Sequence, residues 1–165
     1  MSKTAIIYGS TTGNTENAAN QLAGLLKADV FDVSSNPCDA LNQYDNLILG
    51  TSTWGAGDLQ DDWEDFISEL EVANLNGKVV AIFGFGDACS NPDTFVDGMG
   101  TLYKIVKNKA CKLIGSVDTY TYDFEKSKAV VGGKFIGLAL DEENQGDLTE
   151  DRINKWAKQI IPVLL

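Results

Sequence analysis

The sequence predicts an α/β fold in which helices cover both faces of a parallel sheet. Apolar strand candidates alternate with amphipathic helix candidates along the whole chain, a pattern typical of strand–helix–strand crossovers. The central strand candidates at 47–50 and 79–83 are continuously apolar, as expected for strands that are buried on both faces. The length of 165 residues suits one domain, residues 1–165, with a full hydrophobic core.

The individual elements follow from hydrophobic periodicity. Helix candidates carry apolar residues at intervals of three and four, and the first helix has the stripe Ala18, Ala19, Leu22, Leu25 and Leu26. Thr149 is a candidate N-terminal cap for the last helix, and residues 34–45 are predicted as a polar turn region. The predicted strands are Thr4–Tyr8, 30–33, 47–50, 78–84 and 112–117, and the predicted helices are 15–26, 61–70, 94–107 and 151–164.

The fifth strand is interrupted. A polar, aromatic-bearing segment follows Val117, and the apolar run at 135–140 then resumes strand character. The interruption is roughly twenty residues, longer than an ordinary loop. We therefore expect a fifth strand that is split by an insertion.

Composition excludes several function classes. The chain has no histidine, which excludes Ser-His-Asp and Cys-His catalysis and every histidine metal site. Its net charge of −11 argues against nucleic-acid binding. The three cysteines form no CxxC pair. The sequence has no membrane-spanning run, and the first strand begins almost at Met1, so we expect no signal peptide. We expect a cytoplasmic monomer with reduced thiols, no metal and no membrane contact.

The run from Gly9 to Thr15 is the strongest functional signal. It links the first strand directly to the first helix, whose initial N–H groups lack partners and favour an anion. Asn14 stands where a P-loop has lysine, so a nucleoside triphosphate with magnesium is not expected. The run predicts a site for a single phosphate monoester, and an ordinary Ser/Thr-rich helix cap is the alternative. The candidate phosphate-binding residues are Ser10, Thr11, Thr12, Gly13, Asn14 and Thr15.

Two further loops leave the carboxyl ends of predicted strands. Ligands of open parallel sheets bind beyond these ends, so the loops at 51–58 and 85–93 are expected to meet the first loop. Trp54 stands among small residues in the second loop, where it could form a wall for a flat aromatic ring. The alternative is that Trp54 packs over the helix that follows.

With these loops in view, the whole chain resembles the flavodoxins, and the split fifth strand resembles their long-chain group. The motifs that carry the resemblance are the runs at 9–15, 51–55, 83–87 and 133–145. The resemblance implies a doubly wound three-layer sandwich, a five-stranded parallel sheet in the order 2-1-3-4-5, and non-covalently bound FMN.

The resemblance also assigns roles by position. Residues 10–15 would hold the FMN phosphate, Ser52 and Thr53 would border the flavin, and Trp54 would cover its inner face. Gly55 and Ala56 would lie beside the flavin N5 edge. The backbone of Phe85, Gly86 and Asp87 would face the pyrimidine end. Asn91 stands where many flavodoxins carry a tyrosine on the outer face.

The implied function is a low-potential one-electron carrier. Gly55 would allow a peptide reorientation that stabilises the neutral semiquinone, and the nearby carboxylates would disfavour the second electron. Basic redox proteins are the implied partners: an NADPH-dependent ferredoxin/flavodoxin reductase, pyruvate–flavodoxin oxidoreductase or nitrogenase reductase. The candidate acidic rim is Asp58, Asp61, Asp62, Glu64, Asp123, Glu142 and Glu143.

Two other functional classes share features with this sequence. An FMN-dependent quinone reductase-type enzyme is the alternative, although no NAD(P)H site is evident. A phosphorylated receiver domain needs an acidic cluster after the first strand and an aspartate after the third. Those positions carry Gly9-Ser10 and Gly50-Thr51, so a receiver domain is excluded.

Overall fold

The computed structural model describes residues 2–165. Its strands are β1 (Thr4–Tyr8), β2 (Asp29–Asp32), β3 (Asn46–Trp54), β4 (Asp58–Leu59), β5 (Val79–Phe85), β6 (Lys112–Ile114), β7 (Val117–Asp118), β8 (Val130–Val131), β9 (Lys134–Phe135) and β10 (Leu138–Leu140). Its helices are α1 (Asn14–Leu26), α2 (Cys38–Gln43), α3 (Asp61–Val72), α4 (Asp97–Val106), α5 (Glu142–Gln145) and α6 (Thr149–Ile160).

The main sheet has the order β10-β5-β3-β1-β2, and these neighbours are all parallel. The fifth strand is split as predicted: β6 pairs with the start of β5, and β10 pairs with its end. Ala81 is opposite Ile114, whereas Phe83 is opposite Leu138. The predicted α/β fold and the order 2-1-3-4-5 are confirmed.

The insertion forms a small antiparallel sheet in the order β7-β9-β8. Phe135 belongs to this sheet, so the predicted resumption of the main strand at 135 is wrong, and the main sheet resumes at Leu138. Phe135 packs instead against Phe95, Tyr122 and Phe124, with ring centroids 4.9–5.9 Å apart. The aromatic cluster thus attaches the insertion to the body of the protein.

Two hydrophobic cores lie on the two faces of the sheet. Neighbouring strand residues alternate between them, as Ile6 and Ile7 do in β1. One core lies against α1 and α6, and the other lies against α2, α3, α4 and the insertion. Each core holds one buried tryptophan whose indole N–H donates to a backbone carbonyl: Trp63 to Gly50 (2.7 Å) and Trp156 to Gly115 (2.8 Å).

Several predicted element details differ from the structure. The polar region at 34–45 contains the short helix α2, and α4 begins at Asp97 rather than at 94. Leu25 is exposed, whereas Ala18, Ala19 and Leu22 of the predicted stripe are buried and Leu26 packs against the core partly buried. Thr149 does not cap α6, since it is the first helical residue and its hydroxyl donates to Glu142. None of the helices in residues 2–165 has the length and apolar character needed to span a membrane.

We predict that Gly137→Ala destabilises the protein, because the added Cβ would overlap the backbone carbonyl of Ile82 where the chain re-enters the main sheet. Overpacking against backbone should lower the free energy of unfolding by about 1–3 kcal/mol. Gly24→Ala is the control, since Gly24 lies within α1 with nothing near its Cβ position, and it should raise stability by about 0.5–1 kcal/mol. Urea unfolding measures both. Equal stabilities for Gly137→Ala and the parent chain would contradict the placement of β10.

Candidate functional site

A cleft of about 410 Å³ lies at the carboxyl-end edge of the sheet. Its walls come from the loops that follow β1, β3 and β5, with two residues of α5, so the three loops do meet as predicted. The lining residues are Thr12, Asn14, Thr15, Ser52, Thr53, Trp54, Gly55, Phe85, Gly86, Asp87, Asn91, Glu142 and Glu143.

The first wall is the start of α1. Gly13 occupies the N-cap position with φ of +98° and offers no side-chain cap to the helix. The turn is closed instead by the Gly13 N–H, which donates to Ser10 Oγ at 3.1 Å. This arrangement argues against the ordinary Ser/Thr helix cap, because the first-turn N–H groups of α1 are left to an external acceptor.

Thr15 supplies the most direct sign of a ligand. Its side chain is 1% exposed, yet its Oγ1 has no hydrogen-bond partner among residues 2–165, and it lines the cleft. Buried hydroxyls are almost always paired, so this one is available to a hydrogen-bonding group from outside the protein. None of the lining residues is cationic. Hydroxyl and backbone donors beside a helix N-terminus fit one phosphate group.

The second wall ends in a hairpin. β3 runs to Trp54 and returns through β4, with Trp54 opposite Asp58, and Gly55 and Gly57 both have positive φ, of +52° and +95°. The Trp54 indole donates to Ser52 Oγ at 2.9 Å, and the residue is 40% exposed toward the cleft. Trp54 therefore presents a ring at the cleft and does not pack away over α3.

The third wall is held by carboxylate hydrogen bonds. Asp141, which is buried, accepts from the Ala88 N–H at 3.1 Å and so joins this loop to the start of α5. The Asp87 carboxylate accepts from the Ser90 N–H (3.0 Å) and from the Asn144 amide (2.9 Å). These donors stabilise the charged form and lower the pKa of Asp87 below its ordinary value.

The open side of the cleft is acidic and lacks an aromatic residue. Asn91 lines it, as do Glu142 and Glu143 of α5. Tyr122 of the insertion does not line the cleft. Its hydroxyl donates to the Ala139 carbonyl, and the Arg152 guanidinium lies 4.0 Å from the centre of its ring. The cleft lining therefore carries the exposed Trp54 ring and the exposed carboxylates of Glu142 and Glu143.

Four of the predicted site residues do not line the cleft: Ser10, Thr11, Gly13 and Ala56. Ser10 and Gly13 shape the turn, and Thr11 accepts a hydrogen bond from the Gln60 amide at 3.3 Å. Gln60 was missed by sequence reasoning, although it caps α3 by accepting from the Trp63 N–H. Gln60 directly precedes the acidic first turn of α3, and this position was the sequence signal for a capping role. Asp141 and Asn144, which hold the third loop, gave no sign of that contact in the sequence.

Comparison with known proteins agrees with this geometry. A protein-family model described as Flavodoxin matches residues 6–156. The chain belongs to the flavodoxin family. Flavodoxins are electron-transfer proteins, so the expected carrier function is confirmed over the quinone reductase-type alternative.

Individual relatives cover nearly the whole chain. It is 44% identical over 168 residues to a Synechocystis flavodoxin, covering 99% of each chain. It is 42% identical to Escherichia coli flavodoxin 1, covering 97% of this chain and 93% of that relative. The crystal structure of Fusobacterium nucleatum flavodoxin bound to flavin mononucleotide superposes with a TM-score of 0.94 at 34% identity, covering 100% of both chains.

We predict that Thr15→Val stabilises the protein without added ligand. The substitution removes an unpaired buried hydroxyl while keeping the shape and helix propensity of the side chain. The free energy of unfolding in urea should rise by about 1 kcal/mol. Thr51→Val is the control, because Thr51 is equally buried but its hydroxyl donates to Ser52 O at 2.9 Å, and there the same change should destabilise. Destabilisation of both variants would show that Thr15 is satisfied within the protein.

We predict that Asn144→Ala raises the pKa of Asp87, because it removes one donor to the carboxylate. The pKa of Asp87 is lower in the folded protein than in the unfolded chain, where it is about 3.9. This difference stabilises the folded protein at pH values above the unfolded-chain pKa, and the stabilisation is lost as the pH falls through the folded-state pKa. The variant should therefore lose less stability on acidification. Carboxyl NMR titration measures the pKa, with Asn20→Ala on the exposed side of α1 as the control. An unchanged Asp87 pKa in Asn144→Ala would contradict the contact.

Proposed function

We propose that this chain is a low-potential one-electron carrier that binds FMN non-covalently in the cleft and acts through a stabilised neutral semiquinone. The observation that supports this most is the unpaired, buried Thr15 hydroxyl at the start of α1, within a cleft that also carries the Trp54 ring. A single ligand with a phosphate and a flat ring would bond to the Thr15 hydroxyl and pack against the Trp54 ring. FMN, when bound, supplies the one-electron chemistry.

The proposed binding residues divide into a phosphate end and a ring end. The α1 start and the hydroxyl of Thr15 would hold the phosphate, supported by a turn that Ser10 and Gly13 shape. No lysine or arginine lines the cleft, so binding depends on directed hydrogen bonds and the helix dipole. At the ring end, Trp54 would cover one face, while Asn91 leaves the other face more open to water than an aromatic residue would.

Gly55 is proposed to select the one-electron state. Its φ of +52° shows that the hairpin uses backbone conformations that favour glycine. It is exposed, and the nearest non-neighbouring atom to an added Cβ would be a carboxylate oxygen of Asp58 at 3.2 Å. We propose that the Gly55 carbonyl would turn toward the flavin N5 edge and accept a hydrogen bond there.

The acidic border is proposed to set the potential and the partners. Glu142 and Glu143 line the cleft and are exposed, so they disfavour added negative charge there. With the other rim residues, of which all but Asp62 are exposed, they would steer basic redox proteins toward the cofactor. We propose that the protein is a cytoplasmic monomer and that its partners are an NADPH-dependent ferredoxin/flavodoxin reductase, pyruvate–flavodoxin oxidoreductase or nitrogenase reductase. The rim residues in question are Asp58, Asp61, Asp62, Glu64, Asp123, Glu142 and Glu143.

Anaerobic stepwise reduction, followed by visible absorption, tests the function. The FMN-loaded protein should pass from yellow through a blue one-electron-reduced form before it bleaches. Direct bleaching without the blue form would contradict one-electron transfer. Failure to retain flavin after addition of FMN would contradict the cofactor itself.

We predict that Gly55→Ala narrows the gap between the two one-electron potentials. Alanine disfavours positive φ and so hinders the proposed reorientation. A gap smaller by about 60 mV corresponds to a tenfold smaller equilibrium constant for forming the one-electron state from the oxidised and two-electron-reduced forms. Gly77→Ala is the control, since Gly77 also has positive φ, of +77°, but lies outside the cleft. An unchanged gap in Gly55→Ala would contradict this role of Gly55, and potentiometric titration measures both variants.

We predict that the rate of reduction by a basic flavodoxin reductase falls as ionic strength rises, because salt screens the acidic rim. The double substitution Glu142→Gln with Glu143→Gln should flatten that dependence. Lys112→Gln, on the exposed start of β6, serves as a charge-change control. A rate independent of salt in the parent protein would contradict electrostatic steering.

A further inference from the structure

Asp97, at the start of α4, is a buried carboxylate outside the cleft. Its residue exposure is 2%, and its Oδ1 accepts a hydrogen bond from the Lys128 N–H at 2.7 Å. Lys128 belongs to the insertion, 31 residues further along the chain. An acidic residue in the first helical turn ordinarily interacts with its own helix N-terminus. Asp97 instead bonds to a backbone group of another element.

The other side of Asp97 faces the hairpin that carries Gly55. A Cβ placed on Gly57 would lie 2.8 Å from Asp97 Oδ2, so the two residues are packed without room for a side chain. The next residue, Gly98, donates its N–H to Thr53 Oγ1 at 2.9 Å. The start of α4 is thus bonded to the end of β3 and packed against the turn at 55–57.

The backbone at this point is strained. Val96 is fully buried and has φ of +49°, a conformation that a β-branched residue rarely adopts. The insertion helps to hold it, because the Phe95 N–H donates to the Lys126 carbonyl at 3.2 Å. Gly100 also packs directly on the insertion, since an added Cβ would lie 2.6 Å from the Lys128 carbonyl carbon.

We infer that Asp97 is a positioning residue that couples the insertion to the hairpin turn at 55–57. One carboxylate oxygen holds Lys128, and the other is packed against Gly57. Displacement of the insertion therefore moves the start of α4 and with it the hairpin. Any effect on the flavin rests on the proposed function, whereas the coupling itself is a property of the polypeptide.

Hydrogen exchange of the FMN-free protein tests the coupling. Asp97→Ala should speed exchange at least tenfold both in residues 117–137 and in residues 53–58. Asp97→Asn keeps an acceptor oxygen of the same size and should restore slow exchange in both segments. Asp93→Ala is the matched control, because Asp93 is an exposed acidic residue on the loop that precedes α4, four residues before Asp97. Faster exchange that is confined to α4 and the insertion would overturn the inference.

A second perturbation covers the case in which Asp97→Ala loosens the whole protein. Gly100→Ala would push on Lys128 while leaving the Asp97 side chain in place, and it should also speed exchange at 53–58. In the double variant of Gly100→Ala with Asp97→Asn, the asparagine oxygen still accepts from Lys128. The faster hydrogen exchange at residues 53–58 should therefore persist. No effect of Gly100→Ala at 53–58, with exchange raised in the insertion, would overturn the inference.

The potentials of the FMN-loaded variants give a readout that a merely structural role would not move. Asp97→Ala should change the gap between the two one-electron potentials by about 60 mV, a tenfold change in the equilibrium constant that forms the one-electron state from the oxidised and two-electron-reduced forms. Asp97→Asn should recover the parent gap. If Asp97→Ala speeds exchange in both the insertion and residues 53–58 but leaves the potentials unchanged, Asp97 positions the hairpin without affecting the flavin, and the effect on the flavin is overturned. If FMN failed to bind the parent protein, the proposed function would fail while the exchange result still decided the coupling.

Discussion

The parallel register of β1, β3 and β5 brings the functional loops together. Tyr8 at the end of β1 is opposite Gly50, and Ser52 is opposite Phe85 at the end of β5. Since these three strands end at one edge of the sheet, each following loop begins there, and the cleft lies among them. The cores on both faces fix the register, because a shift by one residue would exchange their inward side chains.

Within that cleft, the proposed binding of a phosphate would not depend on a cation, because no lining residue is cationic. The start of α1 supplies unpaired backbone donors, and Thr15 supplies a hydroxyl whose burial leaves it without a protein partner. On the proposed function, this end of the cleft would bind an anion through directed hydrogen bonds, while Glu142 and Glu143 in the same lining would oppose further negative charge on the ring.

The sequence predicted the elements that have strong periodicity. The buried strands and the loop at 9–15 were evident because their patterns are local. By contrast, α2 is short and polar, so its sequence did not differ from a turn. Phe135 begins an apolar run that continues to Leu140, and only its tertiary pairing with β7 and β8 removes it from the main sheet. The site predictions for Trp54 and Thr15 rested on local motifs, whereas contacts such as Asp97 with Lys128 join distant segments and leave no sequence pattern.

The most direct measurement compares FMN with riboflavin, which lacks the phosphate, by calorimetric titration of the FMN-free protein. If Thr15 and the start of α1 hold the phosphate, FMN should bind about 100-fold more tightly or better, given about 1.5–3 kcal/mol for each hydrogen bond to a charged group. Thr15→Val should reduce that ratio about tenfold while leaving riboflavin affinity unchanged. Equal affinities of the parent protein for FMN and riboflavin would contradict a phosphate site at this helix.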